Sequence, residues 1–248
     1  MSLTPLAHVD QSLEGVGVGE VVALPRAQRH HVTTVLRLGA GDPLELSDGD
    51  GGHAVAELTE QGARLTTPPV TVPRPQPRLR VVHALPKGRK LDEVVRTVVE
   101  LGVDEVEPVI ASRSVRRPEG ARGEKAVERW QAVARSACEQ ARRVHGVRIA
   151  PLVGVVDLTV AGRWLLADPR ASASLPNALA DLGAAELAHQ DETVTVAVGP
   201  EGGWTEQEVD LLVSRGALPV HLGPTVLRTE HAAAAAVAVV SAALGRWE

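Results

Sequence analysis

The chain has 248 residues, of which 44% are hydrophobic and 23% are charged, so it is long enough for one large or two ordinary folded domains. Its single cysteine, Cys138, excludes an internal disulfide and a multi-cysteine zinc site. The longest apolar run, residues 232–240, is far shorter than the roughly 20 residues that span a bilayer. The first residues lack the charged and apolar parts of a signal peptide, so we expect a cytoplasmic protein without a membrane partner.

The net charge of −5 is unevenly distributed along the chain. Residues 78–150 carry 16 Lys and Arg against 10 Asp and Glu, whereas acidic residues outnumber basic ones on both sides of this block. Such asymmetry is typical of contact with a polyanion, although solvated helix faces explain it equally well. The only aromatic residues are four tryptophans, so an RNA-binding surface here must use charge and shape rather than rows of stacked rings.

Before residue 77 the pattern predicts a small β-rich domain, residues 1–72. Short apolar runs at 19–24, 42–46 and 53–58 are separated by Gly and Asp clusters, as in strands joined by turns, and one helical patch covers 26–36. Five prolines lie within residues 66–77, which predicts a linker because proline lacks a backbone donor and disfavours helix.

After the linker, strands and helices alternate, which predicts a mostly parallel α/β sheet in a second domain, residues 78–248. The predicted strands lie at 80–85, 103–110, 149–153, 163–167, 193–198 and 219–222. Helices are predicted at 90–101, where apolar residues recur at helical spacing, at 124–142, and after each of the last two strands.

Three loops that follow predicted strands are candidates for a binding site, because ligands of parallel sheets bind at the carboxyl ends of the strands. They are residues 167–172, 199–203 and 222–230. The glycine-rich second loop, GPEGG, lets backbone approach a flat ligand, but by itself it is explained as well by a plain turn. It matches neither a dinucleotide fingerprint nor a phosphate-binding loop, which argues against NAD and ATP. We expect Thr205 with Glu208 to form a capping box and Thr229 to cap the last helix.

Taken together, these segments resemble the SPOUT methyltransferases. VAVGPEGGWTEQEVDLL followed by HLGPTVLRTEHAAAAA is similar to the C-terminal signature of the RsmE family, which methylates N3 of a uridine in 16S ribosomal RNA. HVTTVLR and GDPLELSDGDG resemble the PUA-like N-terminal domain of that family, and WQAVARSACEQARR resembles its central helix.

The resemblance implies a homodimer that acts on 16S rRNA, with the assembled small ribosomal subunit as partner. It also implies a deep trefoil knot at about residues 163–240 and S-adenosylmethionine as cofactor, without a metal. The residues expected to hold the cofactor are Leu166, Ala167, Val198, Gly199, Pro200, Glu201, Gly202, Gly203, Leu222, Gly223, Val226, Leu227 and Arg228.

Arg228 is the predicted catalytic cation. Methylation requires loss of the N3 proton, and a fixed guanidinium near O2 or O4 of uracil would stabilise the anion. Alternatively, Arg228 only pairs with a carboxylate such as Glu230. Glu201 and Glu230 are the candidate bases if burial raises their pKa values, and the sequence does not choose between them. Each also has a structural explanation, as a cap of the glycine turn or as an acid in a first helical turn.

Basic residues in both domains are the predicted RNA contacts, although each of them alone is more often ordinary surface. They are Arg26, His30, Arg37, Lys87, Arg89, Lys90, Arg113, Arg116, Arg117 and Arg143. The histidines show no HxxxH or HExxH spacing, so we expect no metal site.

Three positions depart from the family pattern, namely His231, Asp168 and residues 141–151, so the cofactor geometry and substrate fit near them stay open. Two other functions remain as alternatives: ribose 2′-O-methylation, and a non-catalytic RNA-binding factor with the same fold.

Overall fold

The computed structural model describes residues 4–159, 162–183 and 193–247. The chain forms two compact units, one made of Met1–Arg74 with Arg135–Gly146 and the other of Pro75–Ala134 with Val147–Glu248. The boundary at residues 74 and 75 lies inside the predicted proline-rich linker. In the described part, no helix is both long enough and apolar enough to cross a membrane.

The first unit contains a six-stranded sheet, as the predicted β-rich domain requires. Its strands are β1 (Leu6–His8), β2 (Val21–Val22), β3 (Pro43–Ser47), β4 (Gly52–Leu58), β5 (Ala63–Leu65) and β6 (Val70–Thr71). The order is β1-β3-β4-β5-β2, with β6 paired to β4; among the described strand pairs, β1–β3 is parallel and the others are antiparallel. Alternate side chains of β3 and β4, such as Leu44 and Ala54, are buried in one core. Strand β6 lies within the stretch predicted as a linker, and β1 and β5 were not predicted.

The helical patch of the first unit is confirmed. Helix α1 (Arg26–His30) continues into a π-helical turn over His31–Val35, and the turn is closed at Leu36. Arg37 follows in a left-handed conformation with φ of 59°, which ends the helical stretch.

Residues 135–146 pack with the first unit, which differs from their predicted place in the second domain. Ser47 Oγ donates to the carbonyl of Val144 at 2.5 Å, and His8 Nε2 lies 2.8 Å from the carbonyl of Arg143. The Arg142 guanidinium also pairs with Glu45 at 2.6 Å. These partners are about a hundred positions or more apart in sequence, so local pattern alone could not place the segment.

Glu139 is a half-buried acid of the first unit, and its substitution tests that unit's stability. Burial raises the pKa of Glu139 from 4.5 to about 7, and Gln28 Nε2 donates a hydrogen bond to it. The folded state therefore binds an extra proton between these pH values, so wild-type stability falls as pH rises from about 4.5 to 7.

We expect Glu139→Gln to raise the free energy of unfolding at pH 8 by about 1–2 kcal/mol and to change nothing near pH 4. Thermal unfolding across this pH range is the measurement, and Glu128→Gln on an exposed site of the same helix is the control. A gain that does not depend on pH would contradict the assignment.

The second unit is the predicted α/β domain. Its strands are β7 (Arg78–Ala84), β8 (Glu105–Ile110), β9 (Arg148–Ile149), β10 (Val153–Gly154), β11 (Arg163–Ala167), β12 (Thr193–Val198) and β13 (Ala217–Val220). Its helices are α2 (Lys90–Glu100), α3 (Ala121–Gln140, whose last residues belong to the first unit), α4 (Leu175–Asp181), α5 (Glu206–Ser214) and α6 (Thr229–Ala243). The strand predicted at 149–153 is divided between β9 and β10, and α4 was not predicted.

All described strand pairs of this sheet are parallel, in the order β10-β8-β7-β12-β11-β13 with β9 on β8. The strands are apolar on both faces because helices cover the sheet: Val82, Val109, Leu166 and Ala197 all lie in one core cluster. Since the strands run in one direction, the loops after β7, β8, β11, β12 and β13 meet at one edge. The knot predicted at 163–240 includes residues outside the described ranges and stays a prediction.

Candidate functional site

The carboxyl-end edge of the second unit's sheet holds a cavity of about 590 Å³. The three loops singled out in the sequence form most of its wall, since they follow the neighbouring strands β11, β12 and β13. Its lining residues are Lys90, Arg113, Ala167, Asp168, Pro169, Arg170, Val198, Gly199, Pro200, Glu201, Gly202, Gly203, Trp204, Leu222, Gly223, Thr225, Val226, Leu227, Arg228, Thr229, Glu230 and Ala232. This volume lies within the range of about 300–1,000 Å³ that is typical of small-molecule pockets.

The glycine-rich loop is a tight turn that requires its glycines. Gly203 has φ of +68°, in the left-handed region, and its N–H donates to the carbonyl of Pro200 at 2.8 Å. A Cβ on Gly199 would lie 3.2 Å from the backbone nitrogen of Trp204. The predicted capping box is present: Thr205 Oγ1 accepts from the Glu208 N–H, and the Glu208 carboxylate accepts from the Thr205 N–H.

The side chain of Arg113, from the loop after β8, holds the glycine-rich loop in place. Its Nη1 donates to the carbonyl of Gly202 at 2.7 Å and to that of Trp204 at 3.3 Å. The side chain of Trp204 is buried in the core against the glycine-rich loop, and its Nε1 has no hydrogen-bond partner among the described residues. A buried donor without a partner is rare in proteins.

Thr229 joins two of the cavity loops, and it does not cap α6 as predicted. Its Oγ1 donates to the carbonyl of Gly199 at 2.5 Å, and helix α6 has no side-chain cap. The fully buried His83, on β7, lies behind this contact: its Nδ1 donates to the carbonyl of Ala84 at 2.7 Å, and its Nε2 is 3.4 Å from Thr229 Oγ1. Burial lowers the pKa of His83 and so favours the neutral ring.

We expect Thr229→Val to lower the free energy of unfolding by about 1–3 kcal/mol, because the buried carbonyl of Gly199 loses its donor. The corresponding fall in the unfolding temperature is about 2–12 °C for a chain of this size. Thr229→Ser keeps the hydroxyl and should recover most of the loss, and Thr225→Val on the exposed rim of the cavity is the control. Equal melting of Thr229→Val and the wild type would show that this bond does not hold the loops.

Lys90 lies between the two predicted acids of the cavity. Its Nζ is 2.9 Å from Glu230 Oε1 and 3.8 Å from Glu201 Oε1. The pKa of Glu230 lies below its ordinary value, first because its own backbone N–H donates to the carboxylate and then because Lys90 does. Glu201 Oε1 accepts the N–H of Lys87 at 3.0 Å, and Oε2 of Glu201 contacts no donor among the described residues.

Arg228 is an exposed side chain on the cavity wall and has no acidic partner within the described ranges. Its alternative role, an ion pair with Glu230, is not present in the described part of the chain, where Glu230 pairs with Lys90. Asp168, one of the departures from the family pattern, is held by Arg170 at 2.9 Å. Although burial opposes it, the hydrogen bonds and charge of Arg170 keep the pKa of Asp168 below its ordinary value.

The structure brings the predicted cofactor residues together. All of them line the cavity except Leu166, whose side chain is buried in the core. Trp204 and His83 were not predicted as site residues, and Arg170 lies in a predicted loop without a predicted role; the position of Trp204 directly after GPEGG could have indicated it. The described ranges contain no group of three or more His, Cys, Asp or Glu residues arranged to hold a metal ion.

The predicted RNA-binding residues divide between the two units. Arg26, His30 and Arg37 are exposed on the first unit, which also contains the half-buried Arg143. The other six follow β7 and β8, at the same edge as the cavity; they are Lys87, Arg89, Lys90, Arg113, Arg116 and Arg117. Two of these already have other partners inside the site, since Lys90 pairs with Glu230 and Arg113 holds the glycine-rich loop.

Comparison with known proteins assigns both units to one family. Residues 72–241 match the RNA methyltransferase domain family, and residues 24–64 match the RNA methyltransferase PUA domain. Ribosomal RNA small subunit methyltransferase E of Mycobacterium bovis is 33% identical over 246 residues, which cover 93% of this chain and 89% of that protein. The Bacillus subtilis protein of the same name is 28% identical, and the similarity covers 86% of this chain and 86% of that protein.

Two solved structures are similar over nearly the full length. Ribosomal RNA small subunit methyltransferase E from Neisseria gonorrhoeae, bound to S-adenosyl methionine, has a TM-score of 0.81 at 28% identity, covering 97% of this chain and 98% of that one. A methyltransferase from Legionella pneumophila with bound SAM has a TM-score of 0.84 at 27% identity and covers 98% of both chains. The predicted fold class is confirmed, and the chain belongs to the RNA methyltransferase family of ribosomal RNA small subunit methyltransferase E.

Proposed function

We propose that the protein transfers a methyl group from S-adenosylmethionine to N3 of one uridine in 16S ribosomal RNA, and that it acts on the assembled small subunit. The observation that carries the proposal is the cavity at the carboxyl ends of β11, β12 and β13. There Arg228, which pairs with no acid in the described part of the chain, and two carboxylates surround a glycine-rich turn, in a chain 33% identical to ribosomal RNA methyltransferases. Since ribosomal RNA is the substrate, the enzyme acts in the cytoplasm.

The residues of the cavity fit S-adenosylmethionine. The glycine-rich turn lines the cavity, and the space beside Gly203 is open, so a ligand can approach the backbone there. Asp168 and Glu201 supply negative charge opposite a ligand whose sulfonium and ammonium groups are positive. When bound, the cofactor supplies a methyl group that is already activated for transfer, so the chain's own residues align the uracil and accept its proton.

Arg228 is the group that stabilises the uracil anion. Its guanidinium is permanently charged, exposed on the cavity wall, and unpaired within the described ranges, so its donors can face O2 or O4. Fixed donors near a developing anion lower the cost of removing the proton.

Glu201 is the acceptor of the N3 proton, and Glu230 positions Lys90. Glu201 is exposed at the cavity and its Oε2 has no donor among the described residues, whereas Glu230 pairs directly with Lys90. The lowered pKa of Glu230 also makes it a weaker base.

We further propose that the enzyme is a homodimer with a trefoil knot at residues 163–240. The exposed apolar side chains of Val226 and Leu227 beside the cavity support a partner surface, because such neighbours are seldom left in water. The position of β11 between β12 and β13 supports the knot, since the chain must pass from one side of β11 to the other. Sedimentation of the purified protein tests the dimer.

The test of the function is transfer of labelled methyl from S-adenosylmethionine to small subunits that lack the modification, followed by nucleoside mass spectrometry. We expect 3-methyluridine. A 2′-O-methylated nucleoside would favour the ribose reaction, and RNA binding without cofactor binding would favour the non-catalytic RNA-binding factor. Calorimetric titration with S-adenosylmethionine provides the separate readout of cofactor binding.

A further inference from the structure

The cavity formed by the loops after β11, β12 and β13 is called the cofactor cavity below. A second cavity, of about 410 Å³, lies near it in the same unit. We call it the basic pocket: it lies between the loop that follows β7 and the first turns of α3, and residues 116–118 close one side. The two cavities approach each other at residues 88–90, because Gly88 and Arg89 line the basic pocket while the adjacent Lys90 lines the cofactor cavity. Nothing in the proposed reaction uses this pocket.

The charge of the basic pocket is entirely positive. Six cationic side chains line it and no acidic side chain does; they are Arg89, Arg116, Arg117, Arg122, Lys125 and Arg129. Arg122 and Lys125 are exposed and have no acidic partner within the described ranges. Their spacing, continued by Arg129, puts all three cations on one face of α3.

Asp92 is the acid that pairs with cations of the pocket, and it is already occupied. Its Oδ1 accepts from Arg129 Nη2 at 2.9 Å and from Trp130 Nε1 at 3.0 Å, and its Oδ2 lies 3.5 Å from Arg89. Asp92 therefore holds two walls of the pocket in place and leaves most of its positive charge uncompensated.

Backbone carbonyls, rather than acids, orient the arginines of the loop after β8. Arg116 Nη1 donates to the carbonyl of Gly88 at 2.6 Å, and Arg117 Nη2 donates to that of Ser112 at 2.7 Å. Each guanidinium has five N–H groups, so both retain donors for a ligand. The pocket is thus preorganised without being neutralised.

The floor of the pocket is apolar. Leu85, Leu91 and Trp130 line it and are each only 3–4% exposed. A ligand that fits must combine negative charge with a flat, weakly polar body, and its size must suit a cavity of about 410 Å³. A single nucleotide has this chemistry, with the phosphate on the cations and the base on the floor.

We propose that the basic pocket holds one nucleotide of the substrate RNA, close in the chain to the uridine that enters the cofactor cavity. This rests on the proposed function, because consecutive residues of the segment 88–90 line the two cavities and so put both within reach of one RNA strand. Anchoring a neighbouring nucleotide positions the target base, so the pocket sets affinity for RNA rather than the chemical step.

The test compares two double variants with the same loss of charge. Arg122→Gln with Lys125→Gln removes two cations of the pocket, and Arg78→Gln with Arg96→Gln removes two exposed cations outside it. All four side chains are exposed, so both variants should fold, and cofactor titration checks this. Binding of deproteinised small-subunit RNA is measured over a range of salt, together with methyl transfer to small subunits.

For the pocket variant we expect a Kd and a KM for RNA at least tenfold higher, with kcat and cofactor Kd unchanged. The slope of log Kd against log salt should fall by about 0.7–0.9 for each RNA phosphate that the protein no longer neutralises. Wild-type affinity for RNA in this variant, or an equal loss in the control variant, would overturn the proposal.

The pocket could hold a free nucleotide instead of a nucleotide of RNA, and uridine monophosphate is the probe that distinguishes the two. Micromolar binding that the pocket variant loses, with RNA affinity unchanged, would assign the pocket to a free nucleotide and overturn the proposal. If the wild type binds RNA through the pocket but transfers no methyl group, the proposed function fails while the nucleotide site stands. The two failures are therefore distinguishable.

Discussion

Arg228→Ala should lower kcat for methyl transfer by about 10²–10³-fold, which corresponds to about 2.7–4 kcal/mol of transition-state stabilisation. The guanidinium lies exposed on the cavity wall, and no acidic partner occupies it in the described part of the chain. Its loss therefore leaves no buried charge unpaired, and the unfolding temperature should stay within a degree or two of the wild-type value. Steady-state methyl transfer and thermal unfolding are measured together.

Arg228→Lys separates charge from geometry. A lysine keeps the positive charge but cannot form the planar two-pronged contact, so we expect an intermediate rate. Arg96→Ala, at an exposed site on α2, should leave kcat unchanged. Full activity of Arg228→Ala would remove Arg228 from the chemistry, and a large fall in unfolding temperature would assign it a structural role instead.

The place of the cofactor cavity could be predicted because it follows from topology. Parallel strands end at one edge of their sheet, so loops that follow such strands meet there however far apart they are in sequence. The segments after β11, β12 and β13 satisfied this condition, and Thr205 with Glu208 formed the expected cap because a capping box is a local interaction.

The pairing of charges within the cavity could not be predicted in the same way. Lys90 and Glu230 are 140 positions apart, and Lys90 had been assigned to RNA contact from its position in a basic run. Thr229 had a good local reason to cap α6, but the buried carbonyl of Gly199 required a donor, and tertiary structure supplied this one. A sequence shows which groups are available, whereas the fold decides which of them meet.

The basic pocket also could not be predicted from the sequence, although some of its cations could be recognised there. The sequence identified Arg89, Arg116 and Arg117 as cations, but a basic run is equally a solvated surface. Their common cavity with Arg122 and Lys125 depends on how α3 packs beside the loop after β7. A count of charges does not show whether the side chains surround a cavity. The packing of α3 forms that cavity, and the cavity makes these residues a candidate nucleotide site.

Glu201→Gln should lower kcat by about 10²-fold or more, whereas Glu230→Gln should lower it less than tenfold, if Glu201 accepts the N3 proton. An amide at 201 is isosteric and still accepts the Lys87 N–H, so the loop keeps its shape while the proton acceptor is lost. An amide at 230 still accepts from Lys90 and removes only a carboxylate whose pKa is already low. Single-turnover methyl transfer with saturating cofactor is the measurement, because it isolates the chemical step from product release.

The two variants also differ in their expected effect on Lys90. Loss of the charge at 230 weakens a pair at 2.9 Å, so Glu230→Gln should raise the KM for RNA or the cofactor Kd more than it lowers kcat. Lys90→Met, which removes the cation itself, should reproduce that pattern and should add little to it in the double variant, because the two residues act as one unit. If Glu230→Gln instead shows the larger loss of kcat, the roles are reversed: Glu230 takes the proton despite its low pKa, and Glu201 serves only to hold the loop after β7 against the glycine turn through the Lys87 N–H.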